Sequence, residues 1–467
     1  MVTCKSFSTT GDTISSQKPN VIFILADDLG YGDLGVYGQD IIDTPFIDRM
    51  AKEGMKFTAH YAGSTVCAPS RSALLTGTHT GHTSVRANDR SQPLLLEDED
   101  VTVADIFKKA GYRTGLVGKW GVGHPPPHND PARNGFDYFF GYLNMWHAHN
   151  FYPEFLYKNG SKVWLDNRLR RPQGTNPWAH MPEGTGVAEQ TVQFAPDLIE
   201  QESLSFIERN SERPFFLFIS LNLPHANNEN TENGLRASDY GPFAEKDWPE
   251  QEKGFARFVT DIDHTVGKVL QKLESLGLDR QTLVIFTSDN GPHAEGGHDP
   301  DFFDSNGAMR GIKRDLYEGG IRVPMIVRWP GKVPAGTTSD HISAFWDVLP
   351  TVSDLTGIPA PEGIDGISFL PTLLGHPGDQ QQHKYLYWEF YEDGGEQAVR
   401  QGKWKAVRRQ VRSRSPLQVE LYDLSRDPSE QHDIADEHPE KARELLRLMQ
   451  QAHKSYEPIP LNSVDKE

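Results

Sequence analysis

What most constrains this chain is a repeated pairing of all-apolar runs with amphipathic segments. Asn20 is followed by VIFILA, six apolar residues that suit a strand buried on both faces. Asp27-Asp28-Leu-Gly-Tyr-Gly then breaks the run as a turn. Next comes Thr44-PFIDRMAKEG, whose Thr-Pro opening and Gly54 stop predict a short helix. The alternation recurs three times. Helix-like Val103-ADIFKKAG precedes strand-like Tyr112-RTGLVGKW, and Ala195-PDLIEQESLSFIERN precedes Pro214-FFLFISLNLPH. Phe255-ARFVTDIDHTVGKVLQKLESLG precedes Thr282-LVIFTSDNG, and Ile321-RVPMIVRWPG adds a further strand. Strands alternating with helices predict an α/β fold: a large doubly wound, mostly parallel sheet with helices on both faces.

After about residue 375 the texture changes. Lys384-YLYWEFYED, Gln397-AVRQGKWKAVRR and Leu417-QVELYDL read as antiparallel strands joined by Gly-rich turns, and Pro439-EKARELLRLMQQAH as an amphipathic helix. The expected organisation is a Ser/Thr-rich N-terminal tail (1–18), a catalytic α/β domain (19–375) and a smaller C-terminal α+β domain (376–467). Acidic residues outnumber basic ones 65 to 47 in the 467-residue chain, a net charge of −18. Such a balance argues against a duplex nucleic-acid partner, which needs a basic surface. Two cysteines, Cys4 and Cys67, cannot build a disulfide framework or a four-thiolate zinc site. No apolar stretch approaches the ~20 residues of a membrane span. The first residues lack the apolar core of a signal peptide. Either the protein is made without one, or it was removed before this numbering begins.

In an open parallel sheet, ligands bind beyond the carboxyl ends of the strands. Here those ends carry Asp27-Asp28, Asp289-Asn290, His225 and Lys119. Taken singly, each residue has an ordinary explanation: a turn cap, a hairpin dipeptide, a structural histidine, a loop lysine. Together on one rim, three carboxylates and a carboxamide would repel unless a cation sat among them. An all-oxygen set favours Ca²⁺ or Mg²⁺ over zinc. The segment Val66-CAPSRSALLTG sharpens this reading. Pro69 and Ser70 open an expected helix with Cys67 just before it and Arg71 one turn in. A helix terminus and an arginine would favour an anion at Cys67. The plainer readings are a buried small hydrophobe or a bridge to Cys4.

With these residues in place, the chain resembles the type I sulfatases of the alkaline-phosphatase superfamily, especially the polysaccharide-acting arylsulfatase-like enzymes. Cys67 to Gly77 matches the family's Cys-x-Pro-Ser-Arg modification motif. The likeness continues through Asp27-Asp28, Gly-Lys119-Trp, Pro-His225, Ser-Asp289-Asn290-Gly and Lys313 in Gly-Ile-Lys-Arg-x-x-x-Glu-Gly-Gly-x-Arg-Val-Pro. It spans about residues 19–460. The resemblance implies that a maturation enzyme oxidises Cys67 to formylglycine. It implies Ca²⁺ held by Asp27, Asp28, Asp289, Asn290 and the modified Cys67. Lys119 and Lys313 would hold sulfate oxygens, and Arg71 would stabilise the aldehyde hydrate. His225 is our assignment for the acid on the leaving oxygen. The implied substrate is a sulfated saccharide. The implied location is periplasmic or secreted, with a cytoplasmic one left open.

One departure stands out. The family usually reads Gly-Lys-Trp-His, a histidine that the resemblance implies is the base that helps deprotonate the sulfated aldehyde hydrate, and here Gly121 takes its place. Substitutes could be His124, or His147 and His149 in Trp146-HAHNFYP; a subgroup acting on marine or host polysaccharides has a similar Gly-Lys-Trp-Gly and His-Ala-His-Asn. His147, His149 and Arg400 are also the expected substrate contacts, with Arg133 and the loop from His298 to Arg310 as weaker candidates. Phosphonate or phosphate monoester hydrolysis, and a non-catalytic carbohydrate-binding role, stay open beside sulfate hydrolysis.

Overall fold

The structure is a computed structural model that describes residues 18–88, 96–123, 130–413, 418–455 and 461. Its centre is a ten-stranded sheet in the order Thr337–Ser339, Met55–Phe57, Met325–Arg328, Thr282–Ser288, Asn20–Asp27, Phe215–Pro224, Arg113–Lys119, Tyr138–Tyr142, Phe155–Lys158 and Ser161–Trp164. From Thr282–Ser288 to Tyr138–Tyr142 neighbouring strands run parallel. The expected doubly wound, mostly parallel sheet is therefore present; antiparallel pairings flank the parallel block, and the edge strand Thr337–Ser339 pairs parallel again.

The six-residue apolar run works as anticipated, because alternate side chains feed two separate cores. Ile22, Ile24 and Ala26 pack with residues of the helices Ala195–Arg209 and Glu250–Ser275. Val21, Phe23 and Leu25 pack on the opposite face with residues of Val103–Lys109 and Val348–Thr356. A strand enclosed by helices on both sides cannot tolerate a polar residue until it leaves the sheet. That is why the first polar side chains after Asn20 are the tip residues Asp27 and Asp28.

Boundaries differ from the sequence reading at two helices and one strand. The long helix begins at Glu250, with Pro249 as its N-cap, rather than at Phe255. The helix bearing the Cys67 motif begins at Cys67 itself, with Val66 in extended conformation ahead of it, so Pro69 lies inside the first turn instead of opening the helix. The run from Ile321 yields only the short strand Met325–Arg328, antiparallel to Thr282–Ser288, because Glu318–Ile321 closes a helical turn before it.

A second, four-stranded antiparallel sheet comprises Leu386–Phe390, Glu396–Gln401, Trp404–Arg409 and Glu420–Asp423. One face is covered by the helix Pro439–Ala452 through Leu445 and Met449. The other meets the larger sheet region through Trp388, Trp346 and Tyr61. Trp388 donates its indole N–H to the Ala62 carbonyl at 2.9 Å. No helix among the described residues is long and apolar enough to cross a membrane.

A buried ionic knot fastens this join. Lys405 Nζ lies 3.0 Å from Glu318 and 2.9 Å from Glu430, all three side chains fully enclosed. Tyr61 Oη donates to Glu318 at 2.6 Å, and Arg400 bonds Tyr61 in turn. Arg400 therefore faces the join between the two sheets instead of offering a free guanidinium to substrate. Burial pushes Glu430 up to about 7, whereas Lys405 and Arg400 hold Glu318 near 2 against burial. Replacing Lys405 by Met should leave two enclosed carboxylates without their cation and cost about 3–5 kcal/mol. The measurement is the denaturant midpoint; an unchanged midpoint would show that the knot does not fasten the join.

Candidate active site

Thr282–Ser288, Asn20–Asp27, Phe215–Pro224 and Arg113–Lys119 are four consecutive parallel strands, so their carboxyl ends emerge side by side. Parallel pairing alone brings Asp289, Asp27, His225 and Lys119 to one rim. Two backbone features sharpen the convergence. Asp28 adopts a left-handed conformation at φ 67°, and its N–H is held by Asp289 Oδ1 at 3.0 Å. A non-glycine residue held in that region is strained, and such strain persists only where the surroundings fix it. Gly118 has φ 117°, and a Cβ there would lie 1.8 Å from the Ser220 carbonyl oxygen. Only glycine lets the last turn of that strand approach its neighbour so closely and aim Lys119 inward.

Cys67, at the first position of its helix, points into the rim. Its Sγ is 3.3 Å from Asp27 Oδ1 and 3.8 Å from Asp28 Oδ1. Lys119 Nζ sits 2.7 Å from Asp27 Oδ2. Lys313 Nζ lies 2.8 Å from Asp28 Oδ2, 3.0 Å from Glu295 and 3.2 Å from His225 Nε2. Arg71 reaches Asp289 at 2.8 Å, the Lys119 carbonyl at 3.1 Å and Ser220 Oγ at 2.5 Å. Asn290 donates to Asp28 Oδ1 at 2.7 Å. Three buried cations thus face three buried aspartates.

The electrostatics correct one expectation. A helix terminus and Arg71 were expected to favour an anion at Cys67. Instead, burial and then the Asp27 carboxylate push the thiol well up. Against the same burial, Lys119, His225 and Arg71 hold Asp27 well below the carboxylate range. Asp289 is pushed up to about 7, by burial and by Asp27, despite Arg71. A protonated thiol is a poor nucleophile and a poor metal ligand. The oxygens suit a hard cation better: ligand atoms of Asp27, Asp28, Cys67 and His225 lie within 4.8 Å of one another. The buried Asn290 Oδ1 beside them has no hydrogen-bond partner among the described residues. An orphaned carboxamide oxygen among acids is the arrangement an oxygen-seeking ion would satisfy.

The histidines separate into distinct environments. His225 Nδ1 is 2.6 Å from the Ala226 carbonyl, which leaves Nε2 facing Lys313 and, at 3.4 Å, Asp28. Burial and Lys313 lower its pKa to about 3. His149 stacks on His225 with ring centres 4.6 Å apart, its Nδ1 3.3 Å from Glu229. His147, two residues away, turns instead into a nest of Tyr142, Phe155 and Tyr157 rings. Among the described residues it has no contact with the aspartates. His124 and Cys4 lie outside the described residues.

Gly121 has a structural reason. Its φ is 82°, and a Cβ would meet Arg71 Cδ at 3.0 Å. A histidine there would both strain the backbone and press on the arginine that holds Asp289. The weaker candidates stand elsewhere. His298 stacks on Phe255 at 3.8 Å and bonds Glu252, while Arg310 reaches Tyr422 and the Glu430 carbonyl. Glu295, Ser220 and Glu229 belong to the cluster without having been expected. None closes a strand as Asp27 and Asp289 do, and the one local signal that could have pointed to Glu295 is the Gly-Pro-His-Ala-Glu run after Asn290.

Comparison with known proteins agrees with this geometry. The sulfatase family model matches residues 19–358, and the model of the N-sulphoglucosamine sulphohydrolase C-terminal region matches residues 311–456. N-acetylgalactosamine-6-sulfatase of Canis lupus familiaris is 33% identical over 84% of this chain and 72% of its own length. N-acetylgalactosamine-6-O-sulfatase of Bacteroides thetaiotaomicron is 31% identical over 93% of both chains. Among solved structures, a sulfatase of glycosaminoglycan metabolism from Bacteroides thetaiotaomicron superposes with a TM-score of 0.75 at 30% identity, covering 93% of this chain and 99% of that one. Ps i-CgsB in complex with k-i-k-neocarrahexaose gives 0.78 at 26% identity, covering 96% of each. With its rim of strand-end acids, its Cys67 helix and this breadth of likeness, the chain belongs to the type I sulfatase family, enzymes that hydrolyse sulfuric esters.

Proposed function

We propose that the protein removes sulfate from a sugar of a sulfated polysaccharide or oligosaccharide, using formylglycine at position 67 and a bound Ca²⁺. The observation that carries this reading is Cys67 Sγ, enclosed 3.3 Å from Asp27 and flanked by the Lys119 and Lys313 ammonium groups. A thiol kept protonated there is a poor nucleophile, whereas a hydrated aldehyde on the same carbon supplies an oxygen nucleophile. Asp27, Asp28, Asp289 and Asn290 would hold Ca²⁺, which when bound supplies Lewis-acid polarisation of a sulfate oxygen and of the attacking oxygen.

The remaining roles fall to this chain's own side chains. Lys119 and Lys313, each already shared with an aspartate, neutralise and orient sulfate oxygens. Glu295, 3.0 Å from Lys313 Nζ, helps hold that ammonium beside Asp28. Arg71 acts mainly through Asp289, whose carboxylate it fixes. His225 protonates the leaving sugar oxygen through Nε2, since Nδ1 is committed to the Ala226 carbonyl. Burial and Lys313 keep that imidazole neutral in the free site; a negative sulfate beside Nε2 favours the imidazolium, so Nε2 takes a proton from solvent as substrate binds and passes it to the leaving oxygen. His149, stacked on His225 and paired with Glu229, takes the base role left open by Gly121.

The N-acetylgalactosamine-6-sulfatase relatives support a 6-sulfated amino sugar as the first substrate to test. A maturation enzyme that generates formylglycine, and action in the periplasm or outside the cell, belong to the same reading. A phosphonate monoester hydrolase of Agrobacterium radiobacter shares the fold at a TM-score of 0.62 and 21% identity, which carries no activity over.

Four outcomes are expected. Sulfate should be released from N-acetylgalactosamine 6-sulfate or a chondroitin 6-sulfate oligosaccharide, measured by ion chromatography; faster turnover of an aryl phosphonate than of an aryl sulfate would favour the phosphonate reading. EDTA should abolish turnover and Ca²⁺ should restore it better than Zn²⁺. The Asp289→Ala enzyme should stay folded yet lose at least about 100-fold in kcat, and full activity in that variant would remove the metal assignment. Finally, His149→Ala should lower kcat by about 100-fold or more, whereas His147→Phe should turn over normally because an aromatic ring fills the same nest. Equal kinetics for the two variants would take the base role away from His149.

A further inference from the structure

Beyond the rim of the sheet, the margin formed by Phe155–Lys158 and Ser161–Trp164 borders a cleft of about 640 Å³. Trp164 and Trp178 line it, and Trp164 is 66% exposed, an unusual display for the largest apolar side chain. Trp178 is seated on the backbone of Gly186: a Cβ there would meet the indole at 2.6 Å. The charged residues that line the cleft are paired. Arg171 pairs with Glu154 at 2.6 Å, and Lys162 with Glu183 at 2.5 Å. Thr185, only 2% exposed, also lines the cleft, and its hydroxyl has no hydrogen-bond partner among the described residues. A buried hydroxyl without a partner forfeits about 1–3 kcal/mol unless something supplies one.

Indole faces, paired carboxylates and guanidinium, and an unsatisfied hydroxyl form a set that matches the apolar C–H face and hydroxyl rim of a sugar ring. Among the described residues that line it, the one cation, Arg171, is already paired, so the cleft offers none to a sulfate. The cleft also shares a wall with the catalytic cluster. Gly184 packs on the His147 ring, and His149, in the same turn as His147, stacks on His225. Asn227, two residues after His225, donates to the Gly186 carbonyl at 3.1 Å.

We propose that this cleft is a second saccharide site, which binds a sugar unit of the substrate chain through its hydroxyls and its C–H face while another unit presents sulfate to the Cys67 cluster. The assignment rests on the saccharide reading above, but its test is separable from that reading. Binding here contributes to KM on long substrates and leaves the chemical step untouched. It makes the enzyme favour polymer over small esters through a contact remote from the reacting sulfur.

The test uses the full-length protein. The Cys67→Ala variant is run by affinity electrophoresis through gels containing desulfated chondroitin or agarose, a galactan. Retardation by one of these is expected, and Trp164→Ala or Thr185→Val added to Cys67→Ala should reduce it at least fivefold. In the otherwise native enzyme, Trp164→Ala should leave kcat/KM on 4-nitrophenyl sulfate unchanged and raise KM for a chondroitin 6-sulfate hexasaccharide about tenfold. Absence of retardation by either polymer, or equal retardation of the cleft variants, overturns the second site. Aryl sulfate turnover by the native enzyme decides the sulfatase chemistry separately.

Discussion

The interaction on which the rest depends is the mutual repulsion of Asp27, Asp28 and Asp289, forced together by strand pairing. Adjacent parallel strands place their carboxyl ends a few ångströms apart, and three of the tip residues are acids. Burial makes their repulsion severe, because charge in a low-dielectric interior is poorly screened. Lys119, Lys313 and Arg71 offset it, each bonded to a different aspartate. That compensation is what holds a reactive rim inside a folded protein. Asp289, pushed up to about 7, carries the part that the cations leave unrelieved.

The same constraint explains the surrounding architecture. Lys313 and Glu318 belong to one loop and helical turn between the sheet and the smaller four-stranded sheet, and Glu318 is anchored there by Lys405 and Tyr61. The C-terminal sheet therefore acts on the site by fixing the segment that carries Lys313, whereas Arg400 is spent in the join. At the opposite margin the 147–149 turn divides its two histidines between an aromatic nest and the catalytic rim.

Much of this was legible in the sequence because burial on both faces leaves a strong signature. Apolar runs that end in polar residues, VIFILA before Asp27 and LVIF shortly before Asp289, located the sheet and its rim together, and the Cys67 motif picked out one helix. What escaped was set by tertiary contact rather than by local pattern. Glu295 and Ser220 act through partners far away in the chain, with no periodicity to betray them. His147 and His149 are equivalent in sequence, and only the packing of a short turn distinguishes them. The thiol's protonation escapes the sequence for a related reason: the helix terminus is visible there, but three carboxylates arriving from two other strands are not.

The central claim is that Cys67 works as an aldehyde, so the most direct measurement couples its oxidation state to turnover. Preparations made with and without a formylglycine-generating enzyme are digested, and the residue 67 peptide is weighed by mass spectrometry and tested for reaction with a hydrazide. Sulfate release by each preparation should rise in proportion to its aldehyde fraction and vanish where the thiol is intact. Undiminished turnover from protein whose residue 67 is wholly unmodified cysteine would contradict the account.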